Sequence, residues 1–202
     1  MALSANTTGV TASETRPIPE PILVTPRCII RRFHISDIPA VAHHANNPNV
    51  ARRLRPHFPS PYTIADAEAW YEHTCAWEKP LSYAICDPVS NTFMASIGIR
   101  PLGGDETRTA ELGYWLGEEF WGRGIMTDAA TGFARWVLEN FEPDEVERLE
   151  ASVYATNQAS QKVLTKAGFV YEGTRRRAGS KHGEVFDILT YGMIRQDLKE
   201  GK

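Results

Sequence analysis

The stretch E-L-G-Y-W-L-G-E-E-F-W-G-R-G-I-M-T, residues Glu111–Thr127, decides how the rest of the chain is read. A strand ends, a turn follows, and Gly122-Arg123-Gly124 opens a helix. Glycines at such a junction let the backbone approach a ligand closely, and the first N–H groups of the helix point outward without partners. The helix dipole adds to this, so the place favours a phosphate or diphosphate. A lone Gly-x-Gly is also an ordinary turn or cap, and the surrounding sequence has to choose between the two meanings.

That context excludes the common nucleotide loops. A dinucleotide fingerprint needs a third small residue three positions after the second glycine, early in a βαβ unit. Here the position is Thr127, and the loop follows an apparent antiparallel meander in mid-chain. A Walker loop fails as well, because no Gly-Lys-Ser/Thr follows.

Upstream, Ser82–Cys86, Phe93–Ile99 and Thr109–Leu116 read as strands, and Gly103–Glu106 as the hairpin turn between the last two. Thr63 is placed to cap a helix carrying Ala67, Trp70, Tyr71 and Cys75 on one face. Ser36 is expected to cap an earlier helix, after a first strand over Cys28–Phe33. Downstream, Ala129, Phe133, Trp136 and Val137 mark a helix over about Met126–Glu139. A strand over Arg148–Val153 follows it, then a short helix capped by Asn157 and closed by Gly168. Two strands, near Phe169–Arg175 and Glu184–Met193, end the pattern. The order predicts an α/β (α+β) domain of about seven strands flanked by about four helices. Residues 1–26, rich in Thr, Ser, Ala and Pro, are expected to be a flexible leader, leaving residues 27–198 as one domain.

Composition agrees with one soluble domain of 202 residues, 42% hydrophobic and 23% charged. A net charge of -3 gives no pull toward nucleic acid or an anionic membrane, and no apolar run approaches a membrane span. Three scattered cysteines without a C-x-x-C pair suit a reducing, cytoplasmic setting. Six histidines include no H-x-x-x-H pair, so no metal is expected.

Taken together, the motifs resemble the GNAT superfamily of N-acetyltransferases, whose signature is Q/R-x-x-G-x-G/A at a strand-to-helix turn. Glu119-Phe120-Trp121-Gly122-Arg123-Gly124 keeps both glycines, with Glu119 in place of the usual Gln or Arg. The runs E-L-G-Y-W-L and N-Q-A-S-Q-K-V-L-T-K-A-G-F are similar to the branch of Rim-type ribosomal-protein N-terminal acetyltransferases. The resemblance spans about Cys28–Met193 and implies a mixed, mostly antiparallel sheet. It also implies transfer of an acetyl group from acetyl-CoA to a primary amine, either a protein N-terminus or a small molecule. No metal takes part, and neither nucleic acid nor membrane is a partner. A monomer and a homodimer are both compatible with the sequence. A catalytically inactive acyl-CoA sensor or scaffold is the alternative.

The resemblance assigns roles residue by residue. Backbone amides of Gly122, Arg123, Gly124, Ile125, Met126 and Thr127 hold the diphosphate of the cosubstrate, with Arg123 adding charge. The backbone near Trp115 and Leu116 pairs with the pantetheine arm and offers an N–H to the thioester oxygen. Asn157 either caps its helix or touches that arm. Many members place a tyrosine where this chain has Leu164, so protonation of the departing thiolate moves to Ser160, the other meaning being a serine that merely faces the helix groove. Glu111 is the expected general base, the other meaning being a structural acid paired with Arg108 or another cation. A second glutamate used by Rim-type enzymes maps near Gly179, with Glu184 and Asp187 close in sequence. Arg52, Arg55, His57, Phe58, Tyr62 and Trp70 are acceptor-pocket candidates by position.

Overall fold

Strands rich in Ile, Val, Tyr and Phe pair into one eight-stranded sheet of order β1-β2-β3-β4-β5-β6-β8-β7. The computed structural model describes residues 16–76 and 79–199. Its strands are β1 (Pro21–Val24), β2 (Ile29–Arg31), β3 (Ser82–Cys86), β4 (Phe93–Pro101), β5 (Thr109–Leu116), β6 (Arg148–Tyr154), β7 (Val170–Lys181) and β8 (Glu184–Ile194). The helices are α1 (Ile38–Ala45), α2 (Pro48–Ala51), α3 (Ile64–Cys75), α4 (Ile125–Asn140), α5 (Gln158–Lys166) and α6 (Arg195–Lys199). The predicted α/β class with a mostly antiparallel sheet holds. β5 against β6 is the one parallel pair among the described strands.

Helices cover both faces. On one, α4 buries Ala129, Ala130, Phe133, Ala134, Val137 and Leu138 against Ile97, Leu112 and Leu149 of the sheet. Phe133 is fully buried, and truncating such a residue to Ala costs about 3–5 kcal/mol. On the other face, α1 and α3 pack Val41, Ala45 and Ala67 with Phe33 and Phe93.

Local chemistry sets the helix starts. Thr63 and Asp66 form a reciprocal capping box at α3. His34, not Ser36, caps the first turn, because a 3₁₀ turn over Ile35–Asp37 precedes α1 and takes Ser36 into itself. Asn157 caps α5 through its side-chain oxygen, and Gly168 follows the helix at φ 93°.

One boundary needs correction. The expected leader through Pro26 contains β1, which pairs antiparallel with β2. Leu23 sits so close to α4 that a Cβ on Gly132 would lie 2.5 Å from its Cδ2. The apolar run Ile22-Leu23-Val24 was hidden by the polar composition of the longer segment. The expectation for residues 1–15 lies outside the described residues.

Candidate functional site

The site begins where the sheet opens. β5 and β6 share register only over Thr109–Glu111 and Arg148–Glu150. Beyond that point each strand stays paired on its outer side, β5 with β4 as far as Leu116↔Ala95 and β6 with β8 as far as Tyr154↔Ile188. The facing edges, around Tyr114–Leu116 and Val153–Tyr154, therefore diverge and leave backbone donors and acceptors toward a wedge-shaped cleft. An extended ligand can pair with such an edge as an added strand does.

The cleft runs toward the start of α4. Gly122 and Gly124 hold φ of 76° and 77°, left-handed conformations that a β-carbon resists. Gly124 is the N-cap of α4, and no side chain caps that end. Ile125 and Met126 bury their side chains in the core, so it is their N–H groups that the turn presents. Gly122, Arg123 and Gly124 are exposed. The Trp121 indole donates to the Leu116 carbonyl at 2.8 Å and ties the turn to the end of β5. Asp128, in the first turn of α4, is neutralised by Arg27 at 2.8 Å. An uncapped helix start with left-handed glycines fits a diphosphate, and the open strand edge beside it fits an amide-bearing arm.

Two hydroxyls meet inside the wedge. Ser160 on α5 lies 2.8 Å from the Tyr114 phenol oxygen of β5. Burial pushes the Tyr114 phenol above its ordinary value, while the bond to Ser160 pulls the other way. The phenol is therefore protonated at neutral pH and can pass a hydrogen bond to Ser160. Asn157 accepts from the Ser160 backbone N–H at 3.3 Å and from Arg53 Nη1 at 3.0 Å. Its capping role is thus realised, with an arginine added that the sequence reading did not pair with it.

Glu111 takes the other face of β5, since successive strand residues alternate. Ala110, Leu112 and Tyr114 face the α4 side, whereas Trp115 packs with the α1–α3 cluster. Glu111 is 8% exposed, and its carboxylate is held by two arginines. Arg55 binds one oxygen and Arg100 the other, the latter at 2.5 Å. Arg100 stands directly opposite Glu111 on β4, and Arg55 comes from the segment after α2. Arg108, the partner suggested by sequence, instead meets Glu147 and the Pro143 carbonyl.

The remaining acceptor candidates divide. Phe58 stacks on Tyr62 at 5.1 Å and meets Trp115 edge-on at 6.3 Å. Tyr62 is buried, and that burial raises its phenol to about 12. Trp70 packs on Phe33 and His73. Arg52 and His57 are exposed. The tip of the β7–β8 hairpin closes over this side. Lys181 donates to the carbonyls of Ala51 and Leu54, both at 2.7 Å, and Tyr154 donates to Leu54 at 3.1 Å. Gly179, Glu184 and Asp187 lie in that hairpin, and Asp187 accepts from the Arg177 N–H at 2.7 Å. Tyr114, Arg53, Arg100 and Lys181 were missed from sequence. Only Tyr114 gave a signal, as the tyrosine two residues before Leu116 in the strand that opens.

Comparison with known proteins follows this geometry. Residues 27–170 match the family described as Acetyltransferase (GNAT) domain. YjcK of Bacillus subtilis, named as a probable N-acetyltransferase, is 41% identical over 128 residues, which cover 63% of this chain and 68% of that one. The ribosomal-protein-serine acetyltransferase of Escherichia coli is 29% identical over 96 residues, and the match spans 48% of this chain and 50% of that protein. A solved structure of RimL, titled as a ribosomal L7/L12 alpha-N-protein acetyltransferase in complex with coenzyme A, shares the fold. Its TM-score is 0.72 at 23% identity, over 87% of this chain and 98% of that one.

Proposed function

The chain belongs to the GNAT acetyltransferase family, and on that premise we propose that it acetylates a primary amine with acetyl-CoA, the amine attacking the thioester directly. The observation that carries this reading is the wedge between β5 and β6, which runs toward the uncapped, glycine-lined start of α4. The N–H groups of Gly122–Thr127 hold the diphosphate, Arg123 adds charge at the exposed rim, and the free edge at Trp115 and Leu116 pairs with the pantetheine amides. A backbone N–H of the same edge stabilises the oxyanion that forms when the amine adds to the carbonyl carbon.

The side chains divide the proton work. Glu111 takes the proton that the acceptor ammonium must lose, once one of its two arginines turns toward the arriving substrate. Ser160 gives a hydrogen to the departing sulfur, with Tyr114 behind it to hold the hydroxyl in place. The adduct then collapses: the carbon–sulfur bond breaks, the nitrogen sheds its second proton to replace the one Ser160 gave up, and the products are the acetamide and the free thiol. The acceptor enters between the α1–α3 side and the β7–β8 tip, and is a protein N-terminus or a small amine. The Rim-type names among the relatives favour the N-terminus. We place the reaction in the cytoplasm, in keeping with three unpaired cysteines. No described helix is long and apolar enough to cross a membrane.

The test is a melting curve with and without acetyl-CoA, followed by a panel of N-terminal peptides and small amines read by mass spectrometry. Cofactor-dependent stabilisation and acetylation of at least one amine are expected. A melting temperature indifferent to acetyl-CoA would refute the reading, and stabilisation without turnover would leave a sensor.

A further inference from the structure

A second group of chemistry-bearing side chains lies outside the wedge, where α1 meets the 3₁₀ turn Glu118–Phe120. His43 and His44 stand in the last turn of α1, and Glu119 lies in the 3₁₀ turn. One ligand-capable atom from each falls within 4.8 Å of the other two. Neighbours on a helix point about 100° apart, yet these two rings stand edge to face with centroids 4.9 Å apart.

The separations suit a metal better than a hydrogen bond. His44 Nδ1 is 3.5 Å from Glu119 Oε1, long for a bond between nitrogen and oxygen. In a tetrahedral zinc shell, with metal–ligand distances of about 2.0–2.2 Å, ligand atoms stand roughly 3.4 Å apart. The pair already has that spacing, and the exposed His43 ring has only a small distance to travel.

The surroundings hold these ligands in place. The His44 ring is 9% exposed, meets Phe120 edge-on at 5.2 Å and stacks on Phe93 at 6.4 Å. Gly117 comes so near that a β-carbon there would lie 3.0 Å from the ring. The turn that carries Glu119 is pinned through its neighbour, since Glu118 accepts from Asn47 at 2.7 Å and Asn49 at 2.8 Å. A cleft of about 480 Å³, lined by His43, His44, Asn46, Asn47, Glu118 and Glu119, opens on the group and has room for water.

We propose that His43, His44 and Glu119 bind a divalent transition metal of zinc type, with water completing the shell. Two imidazoles and one carboxylate are a donor set that suits zinc and leaves a coordination position open. Glu119 stands where the family signature carries Gln or Arg, so the substitution brings a metal-binding carboxylate to this turn. The metal ties α1 to the turn that leads into Gly122 and acts as a clamp; it takes no part in acetyl transfer. The inference rests on ligand geometry alone and stands whether or not the acetyltransferase reading does.

The experiment uses the full chain, stripped with a chelator and titrated with Zn²⁺ against a chromogenic competitor, with Co²⁺ absorption reporting the shell. Stoichiometric zinc binding that raises the melting temperature is expected, together with a tetrahedral-type Co²⁺ spectrum. His43→Ala and Glu119→Gln, both at exposed side chains, each weaken binding at least about tenfold, while the metal-free melting temperature stays that of wild type. Absence of stoichiometric binding, or variants that bind zinc as tightly as wild type, overturns the proposal.

Discussion

The two sides of β5 are built by different means. On the side proposed for the cofactor, the features are those of the backbone: a strand edge left open, two left-handed glycines and the first N–H groups of α4. On the side proposed for the acceptor they are side-chain contacts, Arg100 to Glu111 across a hairpin and, over large sequence separations, Arg55 to Glu111 and Lys181 to Ala51 and Leu54. Backbone geometry is written into short motifs and tolerates change in the side chains around it. A side-chain pair across the fold is rebuilt whenever one partner changes, which leaves this side free to alter its acceptor.

The sharpest break between the two halves is expected at Glu111. Glu111→Gln removes the proposed base from the acceptor side and should lower kcat by about 10²–10⁴-fold while the Kd for acetyl-CoA stays within about twofold of wild type. Calorimetry with the cofactor and single-turnover kinetics separate the two quantities. An unchanged rate takes Glu111 out of the mechanism and leaves it as the anion that neutralises Arg55 and Arg100. Next in size is the hydroxyl pair. Ser160→Ala should lower kcat by about 10²-fold, and Tyr114→Phe by about tenfold, because in the proposed mechanism the phenol, 2.8 Å from Ser160, only orients that hydroxyl. Acetyl thioester donors with a more acidic leaving thiol should recover most of the loss in both variants, a pattern that a packing defect does not give.

The same contrast governs what could be read from sequence. Glu111–Thr127 announced a strand, a turn and a glycine-opened helix because each feature is local, and the structure has all three. Thr63 and Asn157 were legible as caps for the same reason, their partners lying three residues away at Asp66 and Ser160. β1 was lost because four residues of strand sat inside a long polar segment, and its packing partner Gly132 is more than a hundred positions away. Glu111 was visible as an acid in the right strand. Its two arginines were not, since Arg100 becomes a neighbour only through the β4–β5 register. Arg53 and Lys181 carry no local mark, because nothing in the neighbouring sequence distinguishes a lysine that will cap two carbonyls from one that meets water. Tyr114 was passed over as a strand aromatic, and only the opening of the sheet turns it toward Ser160.

Smaller changes test the backbone side. Gly124→Ala places a β-carbon at φ 77° and 3.3 Å from Arg27 Nε. Left-handed backbone costs a non-glycine residue about 1–2 kcal/mol, so the Kd for coenzyme A should rise about tenfold with acceptor KM little changed. A variant that binds the cofactor as wild type does would show that the turn is not the anchor. High pH probes the acceptor side instead. The Tyr62 phenol is raised to about 12 in the fold against about 10 in the unfolded chain. Its neutral form is thus favoured by folding, the stabilisation is complete below pH about 10, and it is lost as pH climbs through about 12. At pH about 11 the loss is on the order of 1 kcal/mol. Tyr62→Phe should remove that part of the alkaline decline, read by urea unfolding at two pH values.

The least disruptive probe is Lys181→Met, and it decides whether the two sides are separable. The ammonium sits against the last carbonyls around α2, where a cation is favoured by the exposed C=O groups of the turn. Burial lowers its affinity for a proton, so part of the gain is already spent on desolvation. Methionine keeps the length of the stem and loses only the two hydrogen bonds, leaving the Ala51 and Leu54 carbonyls to water and to Tyr154. The hairpin tip should loosen over the acceptor entrance, raising acceptor KM about threefold, which corresponds to about 0.7 kcal/mol, with kcat and the Kd for coenzyme A unmoved. If the cofactor Kd moves with KM, the latch at α2 also sets the position of Arg53, and through Asn157 the α5 end of the wedge. The acceptor and cofactor sides would then form one mechanical unit, and the freedom argued for the acceptor side would be constrained by the cofactor it serves.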